Sequence, residues 1–226
     1  MGTILASTGN HLAFAMHGQR VGRRMLQGAQ EFLAMLPRKE TTNELIDSLQ
    51  VGRHKAPVYV STPITGGNRL YDFLAEKGVE SKKGLKIEDI PAYNSRVIAA
   101  NCKRAKQVAR QVRGTGAAAI EPAAISLPGW CQTKYNEHWT EVVRDLPLSK
   151  VVVCDGWQLS YGCLLEVRVA LDRGLSVEDE NGQRLTRESA LDKVREAVSQ
   201  RATQGFNLGP LERTLTEPFE SLPMEV

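Results

Sequence analysis

The run Val151-Val-Val-Cys-Asp-Gly-Trp-Gln-Leu-Ser-Tyr-Gly-Cys-Leu-Leu-Glu166 carries the side chains best placed to do chemistry. A β-branched run ends at Cys154, and the loop after it supplies Trp157 and Ser160. Gly162 stands near the start of an apolar helical pattern, and Glu166 lies about one turn into it. A carboxylate there looks back over the strand end toward a ligand, and a residue as small as Gly162 clears its path. Free amides at a helix start, with the Ser160 hydroxyl, favour an oxygen-rich or anionic group.

These side chains need a sheet to hold them. Val58-Tyr59-Val60-Ser61 reads as a buried strand running into the tight loop Thr62-Pro63-Ile64-Thr65-Gly66-Gly67. Asn68 is placed to cap a helix carrying Leu70, Phe73 and Leu74, with Gly78 as its stop. The polar stretch 78–90 reads as a surface loop, and a long helix is expected from Tyr93 to Val112. Ala117–Ile120 reads as a strand broken by Pro122, followed by a helix near Lys134 to Leu146. Lys150–Cys154 is the strongest strand signal, and a helix follows from Tyr161 to Asp172. Leu175–Glu178 and Arg184-Leu185 flank the hairpin signal Asn181-Gly182. Arg187–Ala202 reads as an amphipathic helix, and the Gly- and Pro-containing last twenty residues as an extended tail.

Strand and helix in alternation imply an α/β fold, a flavodoxin- or Rossmann-like parallel sheet with helices on both faces. Apolar strands without alternation fit burial on both sides. Ligands in such sheets sit at the carboxyl ends of the strands, here Thr62–Gly67, Glu121-Pro122 and Asp155–Ser160. Three regions are expected: a helical N-terminal arm (1–56), an α/β core (57–186), and a C-terminal helix with extended tail (187–226). In the arm, Val21, Met25, Leu26, Ala29, Phe32, Leu33 and Leu36 form one helical stripe, and a second short helix spans Thr42–Leu49.

Composition narrows the partners. The chain has 226 residues, 42% hydrophobic and 24% charged, with a net charge of +3. That balance does not point to a nucleic-acid polymer. No stretch approaches the roughly 20 apolar residues of a membrane span. Cys102, Cys131, Cys154 and Cys163 form no C-x-x-C pair, and no His stands at zinc-ligand spacing, so buried thiols and no metal are expected. The first residues lack a charged n-region, so no signal peptide is read and the cytoplasm is the expected location. His138 reads as a helix-face histidine.

Four pieces, taken together, resemble the nucleoside 2-deoxyribosyltransferase-like superfamily. They are Tyr59-Val-Ser-Thr-Pro-Ile-Thr-Gly-Gly-Asn68, Glu121-Pro122-Ala123, Trp139 with Glu141, and Asp155-Gly-Trp-Gln-Leu-Ser-x-Gly-x-x-x-Glu166. They span Val58 to Gly174, about half the chain. The resemblance implies that Glu166 attacks the anomeric carbon of a sugar. A carboxylate facing that carbon stabilises an oxocarbenium-like state and can bond to it. The leaving base needs a proton, and the resemblance implies Glu141 as the second carboxylate with Asp155 nearby. The choice among Glu141, Asp145 and Asp155 is open. By the same match Ser160, with the Thr65-Gly66-Gly67 backbone, holds the sugar 5′ end or a 5′-phosphate, and Tyr59, Trp139 and Trp157 stack on a base. Thr62, Asn68 and Gly162 complete the substrate-binding set. The family's hydrolases use an arginine near the first loop, where Arg69 stands.

The expected activity is therefore cleavage or transfer at the N-glycosidic bond of a (deoxy)nucleoside or nucleoside 5′-monophosphate, without a cofactor. A non-catalytic nucleotide-binding or sensor protein and an NAD glycohydrolase are the alternatives. A homo-oligomer is expected on the resemblance, with the Val21–Leu36 stripe as a candidate contact.

Overall fold

Two short β-branched runs form the centre of the sheet. Val58–Ser61 (β1) and Lys150–Val153 (β3) pair in parallel, Tyr59 opposite Val151 and Ser61 opposite Val153. Runs without polar alternation suit a position covered on both faces, and β1 is buried along its whole length. Ala119–Ile120 (β2) lies parallel on the outer side of β1, and Ser176–Asp179 (β4) parallel on the outer side of β3. Arg184–Leu185 (β5) returns antiparallel to β4 through the Asn181-Gly182 turn. The order β2-β1-β3-β4-β5 is that of a flavodoxin-like doubly wound sheet. The chain leaves β1 in one direction and returns to β3 on its other side, so the sheet's switch point lies between these two strands.

The computed structural model describes residues 56–125 and 130–217. The helices expected at Val21–Leu36 and Thr42–Leu49 lie outside the described residues. In chain order the helices are Gly67–Lys77 (α1), Ile90–Tyr93 (α2), Ala100–Gly114 (α3), Gln132–Asp145 (α4), Tyr161–Asp172 (α5), Arg187–Ala202 (α6) and Gly209–Thr216 (α7). Among the described residues no helix is long and apolar enough to cross a membrane.

Successive strand residues face opposite ways, which separates the two halves of the core. Val58 and Val60 of β1 join Val152 and Cys154 against Val108 and Ala109 of α3. Tyr59 and Ser61 face the other side, where they meet Trp139 of α4 and Glu166 of α5.

The structure corrects three local expectations. Asn68 is not a cap: Gly66 is the N-cap of α1 and Asn68 lies within its first turn. The helix read from Tyr93 to Val112 is instead α2, a π-helical turn at Asn94–Ala99, and α3. The last twenty residues are not all extended, because α7 forms there with Leu211, Thr214 and Leu215 buried and packs on α5 and α6. Pro210 opens α7, where its missing N–H leaves no bond unmade. Tertiary burial of that apolar stripe overrides the Gly and Pro signals.

Two glycines lock the loops after β1 and β3 together. Gly67 (φ +73°) and Gly156 (φ +80°) face each other, and a Cβ on Gly156 would lie 2.8 Å from the Asn68 amide nitrogen. Gly156→Ala therefore meets both a left-handed backbone and a backbone clash. A loss of about 2 kcal/mol or more is expected, read in urea as a lower midpoint with an unchanged m-value. An unaltered midpoint would show that the two loops part without cost.

Candidate active site

Glu166 is the only residue of the expected catalytic set whose carboxylate is enclosed. It is 8% exposed and lies on the inner face of α5, below the carboxyl end of β1. The Tyr59 hydroxyl donates to its Oε1 at 2.8 Å, and the Ser61 hydroxyl donates to its Oε2 at 2.5 Å. Both donors stand on β1 two residues apart, so the pleat turns both to the same face. Glu166 comes from the helix that follows β3. The carboxyl group is thus held at the switch point, where doubly wound sheets bind ligands.

Burial pushes Glu166 up to about 7, and the hydrogen bonds from Ser61 and Tyr59 oppose that rise. Burial also raises the Tyr59 hydroxyl well above its ordinary value, and the neighbouring Glu166 adds to it. Tyr59 therefore stays a neutral donor. Cys163, buried one turn before Glu166, is raised mainly by burial, with Glu166 adding. Burial likewise raises Cys154, to about 11, so neither thiol is a nucleophile near neutral pH.

The substrate-binding residues divide into two groups. Gly66 packs against Ser160, with its Cβ position 3.6 Å from Ser160 Cβ. These are the N-caps of α1 and α5, and neither helix has a side-chain cap. The Thr65 hydroxyl donates to Gln132 Oε1 at 3.3 Å, and Gln132 Nε2 donates to Asn136 Oδ1 at 3.0 Å. Asn136 Oδ1 would lie 2.9 Å from a Cβ on Gly162. Gly162 therefore admits Asn136 of α4, rather than clearing a path for Glu166. Thr65, Gly66, Ser160, Gly162, Gln132 and Asn136 form one polar rim.

Thr62 and Asn68 point elsewhere. Thr62 donates to Cys154 Sγ at 3.2 Å, on the α3 side of the sheet. Asn68 donates to Asp155 Oδ1 at 3.4 Å and accepts from Arg201. Gly67 serves the loop–loop contact described above. The aromatic expectation changes as well. Tyr59, Trp139 and Trp157 are 0%, 6% and 4% exposed, so their rings pack in the core, and Tyr59 acts through its hydroxyl. The Trp139 ring lies 6.3 Å from Tyr59 and 4.8 Å from His138, and its buried indole N–H has no hydrogen-bond partner among the described residues.

Asp155 is exposed and lines a cleft of about 350 Å³ between the ends of β3 and β4 and helix α6, with Trp157, Asp179, Glu180, Lys193 and Glu196. Helix α4 runs from Gln132 at the rim down past Tyr59 to the start of β3. Glu141 therefore lies about 13 Å along the axis from Gln132, and Asp145 ends the helix, shortly before β3 begins at Lys150. Among the described residues, neither Glu141 nor Asp155 forms a hydrogen bond with Glu166. Glu121 faces α3, with Oε2 3.5 Å from Arg113. Arg69 donates to Asn101 Oδ1 at 2.9 Å. Among the described residues, no cluster of three or more His, Cys, Asp or Glu is arranged to hold a metal ion.

Sequence reasoning passed over Ser61, Gln132, Asn136 and Asn101 as site residues. Ser61 was legible, because it shares the parity of Tyr59 on an otherwise apolar strand. Asn101 was legible too, as a polar residue on the stripe Val97, Ala105, Val108. Gln132 and Asn136 carry no such signal, since they are ordinary polar positions at the start of an amphipathic helix. Comparison of the chain with protein-family models, with curated proteins and with solved structures gives no match.

Proposed function

We propose that this protein cleaves or transfers at the N-glycosidic bond of a (deoxy)nucleoside or nucleoside 5′-monophosphate, with Glu166 as nucleophile. One observation carries the reading: a buried carboxyl held at the switch point by Tyr59 and Ser61. A carboxyl near 7 is substantially ionised at neutral pH and is oriented at both oxygens. Its low-dielectric setting strengthens attraction to positive charge developing on a sugar ring. Attack by an Oε atom on C1 forms an ester as the C1–N bond breaks. Water, or a second base, then displaces the carboxylate, and two inversions retain configuration. The departing base takes its proton from solvent water, and the water or incoming base that displaces the ester releases one proton in return. A homo-oligomer belongs to the same reading, and a monomer in sedimentation removes that part.

The direct test is incubation with deoxynucleosides and their 5′-monophosphates, followed by chromatography for free base. Trapping with a 2-deoxy-2-fluoro nucleoside should add the glycosyl mass to the peptide containing Glu166. No free base and no adduct from either substrate class would sink the reading. Tyr59→Phe removes one of the two donors. Because that bond lowers the Glu166 value, its loss moves the acid limb of the rate to higher pH. A fall of about 10-fold in kcat is expected at pH 7. A profile identical to that of the parent would show that the bond does not govern the carboxyl.

A non-catalytic nucleotide-binding role is the second reading. The cleft beside Asp155 does not include Glu166 among its lining residues, so a ligand seated there would not meet the carboxyl. Thermal stabilisation by a nucleotide, equal in the parent and in Glu166→Gln and without product, would select it.

A further inference from the structure

The loop after β1 is held from behind by one buried amide. Asn101 is 2% exposed and sits in the first turn of α3. Its Nδ2 shares two hydrogens among the carbonyl oxygens of Pro63 at 2.6 Å, Ile64 at 3.2 Å and Gly66 at 3.1 Å. Its Oδ1 accepts from Arg69 Nη1 of α1 at 2.9 Å. One side chain thus ties the loop to the first turn of the next helix. The Tyr93 hydroxyl adds a further bond, donating to the Thr65 carbonyl at 3.1 Å. These bonds take up the carbonyls of Pro63, Ile64, Thr65 and Gly66, and the Thr65 hydroxyl meets Gln132 of the rim.

Tyr93 and Asn101 reach the same loop because the helix between them is not regular. They are eight residues apart. On an α-helix, at ~100° per residue, they would stand ~80° apart around the axis. The π turn at Asn94–Ala99 absorbs about one extra residue through its i→i+5 bonds, which reduces the offset to roughly 20°. Such an irregular turn loses regular helix geometry, and here it brings two donors onto four consecutive carbonyls.

We infer that Asn101, aligned with Tyr93 by this π turn, is a positioning residue that sets the shape and polarity of the loop wall beside Glu166. The inference rests on the reading of that loop as part of a nucleoside site. Neither residue touches the reacting atoms. Both act by holding the carbonyls away from the rim, which leaves the α1 amides for a substrate oxygen. Loss of the clamp weakens substrate binding and leaves the chemistry of Glu166 intact.

Hydrogen exchange and kinetics on the full chain test this together. In Asn101→Ala, amides across residues 62–69 should exchange at least about 10-fold faster, and those of β3 should not change. Tyr93→Phe, which keeps the buried ring, should accelerate the same amides about 2- to 3-fold. With deoxynucleoside as substrate, KM should rise about 10-fold in Asn101→Ala while kcat and its pH midpoint hold. Unchanged exchange over 62–69, or a fall in kcat at constant KM, overturns the inference. If Asn101→Ala does not fold, Tyr93→Phe decides by the same exchange criterion. If the parent releases no base, the glycosidic reading falls and the exchange result alone decides the clamp.

Discussion

Replacing Glu166 with alanine is expected to lower base release from a deoxynucleoside on the order of 10⁴-fold, because Glu166 is the carboxylate that Tyr59 and Ser61 hold. Asp155 lies in the cleft beside Asp179, Glu180 and α6, and Asp145 ends α4 shortly before the start of β3. Glutamine should be as inactive as alanine, since it keeps the shape but cannot form the ester. The two variants then separate in rescue. Alanine leaves a void beside the Tyr59 and Ser61 hydroxyls that formate can fill, and added formate should restore a measurable rate. Glutamine fills that space and should not respond. Circular dichroism and a cooperative thermal transition check that the fold survives. Base release within about 10-fold of the parent in the glutamine variant would reduce Glu166 to a structural carboxyl, and the glycosidic mechanism would go with it.

The second large effect is on stability against pH. The folded Glu166 value of about 7 stands above the ordinary 4.5, with burial as the main cause. Between those two values the unfolded chain has released the proton and the folded chain still holds it. The unfolded state therefore binds fewer protons there, and stability falls as pH rises. The contribution is complete below about 4.5 and is lost as pH passes through about 7. The displacement corresponds to about 3 kcal/mol. Glu166→Gln has no such proton. The stability of the parent relative to the variant should therefore drop by up to about 3 kcal/mol from pH 4 to pH 8, measured by urea denaturation at each pH. Parallel pH curves for the two proteins would mean that water reaches the carboxyl and that its burial has little energetic effect. The same ionisation should appear as an acid limb near pH 7 in kcat, which links the stability curve to the activity.

Much of the framework was legible residue by residue. The valine run at 150–153, the helix from Tyr161 to Asp172, the Asn181-Gly182 hairpin and the helix Arg187–Ala202 all follow local signals, and all form where those signals lie. They were legible because β-branched packing, capping and turn geometry act over a few residues. The errors fall where distant packing competes. Pro210 and Gly209 read as tail, yet the burial of Leu211 and Leu215 against α5 and α6 stabilises a helix there. The π turn interrupts a segment whose composition reads as uniformly helical, because the gain is made outside the helix, at the carbonyls of the loop after β1.

The site divides along the same line. From the order of residues alone came Glu166 one turn into a helix after a buried strand, Ser160 at that helix's start, and strand ends rich in Gly and polar side chains. Those features depend on spacings of a few residues, and helix and strand periods convert such spacings directly into direction. Folding alone decided that Tyr59 and Ser61, more than 100 positions away in the chain, grip the Glu166 carboxyl. It also decided that Gly67, Gly156 and Gly162 serve contacts within the protein, and that Asp155 lines a cleft that Glu166 does not. Periodicity tells which face a residue occupies. How far along that face it meets a partner from another segment is set by strand register and helix descent, which only the packed whole determines.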